Sequence, residues 1–352
     1  MVASPRRRFA VDRPAPPAKT TEAMPIASVL RSSTRLGDLG LLLLLATLWG
    51  ASYTFIRVGV ESIPPLTLIA ARTALAAMAL MGLLRWRGLA LTADLALWRR
   101  FLFQACLNSV IPFTLIAWAE QFVEAGLATI LNACAPIFVF VMALCADRRS
   151  ATWRQASGIV CGIAGIVLIV GTEALAGIGR QFVAEMAIVA ATVCYAGAAT
   201  LGRSFRGLDP MLPATGSLVC GAIVLVPISL VADRPWTLAP SARSIAALLC
   251  LAMLSTALAL TLYFRLIRTL GAVGATAQAY LRVPIGVAIG ALFLGEALAP
   301  AMLIGLVFVM AGVAAMTLPA SLRRPAAERD HPLAGASGDD ARVRAPGVTR
   351  RG

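Results

Sequence analysis

Arg282 stands inside an apolar stretch, two residues before Pro284 and four after Gln278. Residues four apart share a helix face, so Gln278 and Arg282 point the same way. Pro284 removes a backbone donor and frees the carbonyl of Tyr280, four residues earlier. A cation, an amide and an opened backbone at one level can grip a carboxylate. The alternative is that Arg282 only satisfies carbonyls that the proline exposes. Arg72 is a second cation in apolar sequence, placed about two turns into its block. It meets either a solute or helix-end carbonyls. Asn132 precedes Pro136 by four residues, as Tyr280 precedes Pro284, and Asn108 with Ser109 sits at the centre of another block. Trp49 and Tyr53 lie one turn apart on one stripe. These side chains either bridge helices or line a path for a polar solute.

A charge inside a membrane helix costs roughly 2.5–3.5 kcal/mol on insertion scales, so Arg72 and Arg282 need a reason to be there. Arg57, near the end of its block, is expected to reach the membrane interface. The acids Glu61, Glu120, Glu124, Asp147, Glu185 and Glu296 flank the blocks. A carrier of organic cations would want a central carboxylate. Central arginines instead favour anionic or zwitterionic solutes such as amino acids and organic acids. Proton coupling would then fall to acids at the cavity mouth, with Glu120 and Glu124 nearest.

Other chemistries have little to work with. The single histidine, His331, lies in a polar C-terminal stretch, and the seven cysteines sit in or beside apolar blocks without C-x-x-C spacing. No metal site and no cofactor is expected. An embedded enzyme would need nucleophile–base pairs or metal ligands, yet G-x-S-x-G and H-E-x-x-H are absent. A scaffold, or a receptor that binds solute without flux, is the other rival. The net charge of +14 does not mark a nucleic-acid binder, because its arginines sit in tails and short loops, with Lys19 the only lysine.

The elements that position these residues follow from hydropathy. Of 352 residues, 59% are apolar and 14% charged, and the mean hydropathy is +0.83, too apolar for a soluble domain. Blocks of roughly twenty apolar residues match ~30 Å of hydrocarbon, so the chain is expected to sit in a lipid bilayer. They predict an all-α polytopic membrane protein with ten transmembrane helices near 39–59, 65–84, 101–119, 125–146, 155–172, 183–202, 211–231, 244–264, 272–294 and 300–318. Residues 1–37 and 320–352, rich in Pro, Arg, Gly and Asp, are expected to be disordered cytoplasmic tails.

The chain also resembles itself. Gly126–Leu144 lies over Gly274–Leu292, with matches at 126/274, 136/284, 137/285, 139/287, 143/291 and 144/292. Thr54, Arg57, Pro64 and Leu66 match Thr200, Arg203, Pro210 and Leu212. Residues 38–172 and 173–319 are thus two five-helix repeats. An odd helix number inverts the second copy, the plan of many secondary transporters with a mid-bilayer site. Two G-x-x-x-G pairs, Gly158/Gly162 and Gly286/Gly290, permit close helix approach. Packing within the chain is the first reading, and a homodimer seam the second.

At this point the chain resembles a family, the EamA-like branch of the drug/metabolite transporter superfamily, over about 39–318. The resemblance rests on Leu48-Trp49-Gly50, Arg72 after Pro64-Pro65, Pro136, the run from Pro284 to Gly295-Glu296, and the Gly-rich fifth and tenth helices. It implies export or uptake of a small metabolite by two five-helix repeats in a bacterial inner membrane. One departure stands out. The family often has an acidic–basic pair twelve residues after the first proline, where this chain has Arg148, with Asp147 one place early.

Orientation follows from arginine placement. With the N-terminus inside, Arg85, Arg87, Arg99, Arg100, Arg148, Arg149, Arg154, Arg203, Arg206, Arg265 and Arg268 face the cytoplasm, against Arg180, Arg234 and Arg243 outside. Reporter fusions at residues 90, 150 and 340 are expected to read cytoplasmic, and one at 235 periplasmic. Any reversed signal contradicts the topology.

Overall fold

The computed structural model describes residues 26–91, 93–147, 152–174, 180–276, 278–297 and 299–317. His331, Arg148, Arg149, residues 1–25 of the expected N-terminal tail and the whole expected C-terminal tail lie outside the described residues.

Among the described residues the fold is helical, without strands. The ten expected blocks become α1 (Ile26–Gly59), α2 (Pro65–Trp86), α3 (Leu95–Ala119), α4 (Ala125–Asn132 and Ala135–Asp147), α5 (Trp153–Ala174) and α6 (Arg180–Gly202), followed by α7 (Met211–Ala232), α8 (Ala242–Ala252 through Ala259–Thr276), α9 (Gln278–Leu294) and α10 (Pro300–Thr317). Among the described residues seven stretches are long and apolar enough to cross a membrane; those at 153–169, 278–294 and 300–315 are shorter apolar helices. Large apolar side chains face outward, among them Val160, Val167, Leu292, Phe293 and Val307. Such a surface belongs against lipid tails.

Two boundaries differ from expectation. The described part of α1 starts at Ile26, so residues 26–37 of the expected N-terminal tail are helical. No proline or glycine interrupts residues 26–36 to break the helix. α8 runs to Thr276, so the expected loop at 265–271 is helical as well.

Prolines and π turns shape the helices where they meet. In α4 the helix breaks between Asn132 and Ala135, since Pro136 supplies no donor to the carbonyl of Asn132. In α3, Pro112 likewise leaves the carbonyl of Asn108 without its donor, and a π turn at Cys106–Val110 precedes it. α8 carries the corresponding π turn at Met253–Leu258. π turns of this kind recur at functional sites.

Helices pair across the two halves of the chain: α1 with α8 and α9, α6 with α3 and α4, α2 with α7, α4 with α9, and α5 with α10. Exchanging the halves maps this set onto itself. Glycine makes the closest crossings possible. A Cβ on Gly50 of α1 would stand 3.0 Å from the Arg282 carbonyl oxygen and 3.1 Å from the Gly286 nitrogen of α9. On Gly312 of α10 it would stand 2.6 Å from the Gly158 carbonyl oxygen and 2.7 Å from the Gly162 nitrogen of α5. Both G-x-x-x-G pairs are therefore used within the chain. Gly286 and Gly290 meet Thr129, Glu296 and the nitrogen of Gly126.

Gly82, mid-helix in α2, has nothing within 4 Å of a Cβ. Gly312→Ala must push backbone apart, so a loss of about 1–3 kcal/mol is expected, whereas Gly82→Ala should gain up to about 1 kcal/mol from helix propensity. Thermal unfolding of the two purified variants checks this. Equal melting temperatures would contradict the crossing.

Candidate solute-binding cavity

A cavity of about 770 Å³ lies between the halves, a size that encloses a small organic molecule. Its lining comes from α1, α2, α3, α4, α6, α7, α8 and α9. Seven of the eight expected solute-binding residues line it: Trp49, Tyr53, Arg72, Asn108, Asn132, Gln278 and Arg282. Tyr280 does not. It packs against the core, because at 100° per residue it stands about 200° from Gln278 on the α9 helix.

Arg72 is 5% exposed, and its charge is met by a chain of contacts. Its Nε donates to Thr256 Oγ1 at 3.0 Å, and Thr256 Oγ1 donates to the Leu251 carbonyl at 2.8 Å. That second bond spans five residues, from the π turn of α8 back to a carbonyl just before it. The Arg72 guanidinium carbon also lies 3.8 Å from the centre of the Phe113 ring. A desolvated cation over an aromatic face contributes about 2 kcal/mol. The guanidinium is thus fixed in orientation while its ends remain at the cavity.

Arg282 is held differently. It is half-buried, and its Nε is buried without a hydrogen-bond partner among the described residues. Around the cavity several further polar atoms are buried and unpaired: Gln104 Oε1, Ser109 Oγ, Asn132 Oδ1, Ser255 Oγ and Gln278 Oε1. Asn132 Nδ2 donates to the Tyr53 hydroxyl, which leaves its Oδ1 as a free acceptor. A buried polar group left unpaired costs about 1–3 kcal/mol, so such a ring of unpaired groups needs a partner that enters and leaves. Two arginines offer donors and three amide oxygens offer acceptors. Among the described residues, no carboxylate lines the cavity.

Several lining residues are not evident in the sequence. Tyr195 lies on α6 with its ring 6.5 Å from Phe113, and Tyr263 on α8 lies 5.3 Å from Trp49. Thr256 and Ser255 enter on the π turn. Repeat alignment is the signal that could have found the last two, because they match the Asn108–Ser109 region. Among the described residues no group of three or more His, Cys, Asp or Glu could hold a metal ion.

At one end the cavity reaches the connection from α6 to α7, where Phe205, Arg206, Gly207, Leu208 and Pro210 form a mouth and Arg206 and Gly207 are exposed. At the opposite end, side chains tie the halves together. Thr67 donates to Asp233 Oδ2 from its hydroxyl at 2.7 Å and from its amide at 2.9 Å. Ser244 Oγ donates to the Val58 carbonyl at 2.9 Å, and the Ser241 amide donates to Ser62 Oγ at 3.0 Å. Glu296 accepts from the amides of Ala125 and Gly126 at 2.7 and 2.8 Å, and so caps α4.

The two acids considered for proton coupling lie at this closed end. Neither lines the cavity. Glu120 follows α3 and is fully buried, and Glu124 is half-buried at the start of α4. Arg57, near the end of α1, donates to the Glu120 carbonyl oxygen just past the end of α3, which ties α1 to α3. Glu185, expected to flank its block, is buried in the second turn of α6.

Comparisons with known proteins agree with this architecture. The pattern of the EamA-like transporter family matches twice, at residues 36–171 and 182–318. The Escherichia coli K12 protein YedA, named as an uncharacterized inner membrane transporter, is 27% identical over 285 residues, which span 79% of this chain and 90% of its own. A Streptantibioticus cattleyicolor protein named as a probable terminal-alkyne amino-acid exporter is 26% identical over 282 residues, 77% of this chain and 90% of its own. A solved crystal structure superposes with a TM-score of 0.57 at 15% identity, over 80% of this chain and 96% of its own, which speaks for the fold. With two copies of the family pattern filling most of its length, this chain belongs to the EamA-like transporter family.

Proposed function

We propose that this membrane protein exports a small anionic or zwitterionic metabolite, an amino acid or organic acid, from the bacterial cytoplasm by alternating access. The observation that carries the reading is the cavity between the halves, with Arg72 and Arg282 in its wall and no carboxylate to oppose them among the described residues. A solute carboxylate would meet donors from both arginines. An ammonium or hydroxyl group would meet the oxygens of Asn132, Gln104 and Gln278. A solute without an anionic group would leave both arginines of the cavity wall without a counter-charge.

In this reading all ten helices cross the membrane as two inverted five-helix repeats, with both termini in the cytoplasm. The open mouth then faces the cytoplasm, where exposed Arg206 attracts anions. The tied end faces the periplasm. Rocking the halves would break the ties there and close the mouth at 203–210, which delivers solute outward. The amino-acid exporter among the relatives supports the same solute class and direction.

The two arginines should respond differently to mutation. Arg282→Gln removes a group with an unpaired Nε, so the empty protein should keep its melting temperature while solute binding weakens by ~1.5–3 kcal/mol, about tenfold to a hundredfold. Arg72→Gln also removes the bond to Thr256 and the Phe113 contact, so both melting temperature and binding should fall. Arg282→Lys should recover only part of the affinity, since a point charge lacks the fork that holds two carboxylate oxygens. Efflux of a carboxylate metabolite panel from proteoliposomes, with melting curves for each variant, checks these outcomes. Wild-type flux in Arg282→Gln removes that residue from the site.

A further inference from the structure

Glu120 is buried in a way the cavity does not explain. It is fully enclosed, and neither Oε1 nor Oε2 has a hydrogen-bond partner among the described residues. The charged and titratable groups that face it are Arg57 and Tyr53 from α1, Arg72 from α2, and Glu296 from the connection after α9. Glu124 lies further along the same connection. Arg57 donates to the main-chain carbonyl of Glu120, not to its carboxylate. Both oxygens of Glu296 already accept backbone amides, so Glu296 is engaged with α4 and supplies no donor to Glu120. An ionised Glu120 would be buried with no donor to compensate its charge. Desolvation exceeds the opposing pull of Arg57 and holds the Glu120 carboxyl well above the usual carboxylate range.

Its location gives this burial a consequence. Glu120 caps α3 at the end where Thr67 meets Asp233, Ser244 meets Val58, and Glu296 caps α4. Separating the halves there breaks those contacts and brings water to the α3–α4 connection. We infer that Glu120 is a proton-binding site of this closed end: it takes up one proton when the end closes and returns it to the same face when the end opens. The inference rests on the alternating-access reading and adds a ligand and a switch to it.

The sign follows from linkage. The closed form binds one more proton than the open form, so acid favours closure and alkali favours opening. The dependence begins above the ordinary glutamate value of about 4.3 and extends to the raised value of the closed form. Within that window the open-to-closed ratio rises about tenfold per pH unit. Glu120→Gln keeps the shape and hydrogen-bonding size of the neutral acid and cannot ionise, so it should stay closed at every pH. Glu120→Asp can still ionise and should keep a pH response.

The test uses the full chain in lipid nanodiscs, on a cysteine-free background, with spin labels at positions 61 and 243. These exposed residues form an ion pair of 3.8 Å across the closed end. Distance distributions measured by electron resonance from pH 5 to 9 should show a long-distance fraction that grows with pH in the wild type and in Glu120→Asp. That fraction should be absent from Glu120→Gln. A wild-type distribution that ignores pH overturns the proposal, as does a Glu120→Gln variant that responds as wild type does. Alternating access is read separately, from solute flux in proteoliposomes, which that reading requires and the proton site does not.

Discussion

Arg72 carries a charge into a buried site, where it is 5% exposed. A cation there must be hydrogen-bonded or it destabilises the fold by several kcal/mol. Its Nε reaches Thr256 on the other half of the chain, and Thr256 in turn reaches the Leu251 carbonyl. That geometry depends on the π turn of α8, which brings the threonine hydroxyl back to a carbonyl five residues earlier. Phe113, one residue after Pro112 in α3, covers the guanidinium face. Helices α2, α3 and α8 are therefore held in register by one side chain. The remaining donors of Arg72 are left at the cavity.

The same constraint separates the two ends of the molecule. At one end short polar side chains tie the halves: Thr67 to Asp233, Ser244 to Val58, and Glu296 to the first amides of α4. At the other end the halves diverge around Arg206 and Gly207. These ties are few and each is worth about a kcal/mol or two, small enough to be exchanged during a cycle. The α5–α10 crossing is different. It rests on glycine backbones in direct contact, with Gly165 against Gly305 and Gly312 against Gly158. Packing of that kind tolerates little sliding, so under the proposed cycle α5 and α10 would serve as a fixed support.

Much of this was legible in the sequence because a bilayer imposes a simple length rule. The ten apolar blocks emerge as helices, and the pair Gln278 and Arg282 meets the cavity as i, i+4 spacing requires. Tyr280 shares their proline break through its freed carbonyl, but a side chain two residues off that face packs against the core instead. The π turn at Met253–Leu258 contains neither proline nor glycine, so local sequence gives no reason for it. Glu120 shows a second limit. Its position beside an apolar block was plain, but its complete burial depends on neighbours from α1, α2 and the connection after α9.

The central claim is that the two arginines select solutes by an anionic group. Binding of amino acids, their carboxamides and the corresponding decarboxylated amines to the purified protein, measured by titration calorimetry, tests it most directly. The account predicts that at least one acid binds, that its carboxamide is at least about tenfold weaker, and that the amine shows no binding. A carboxamide or amine that binds as tightly as the acid would contradict it.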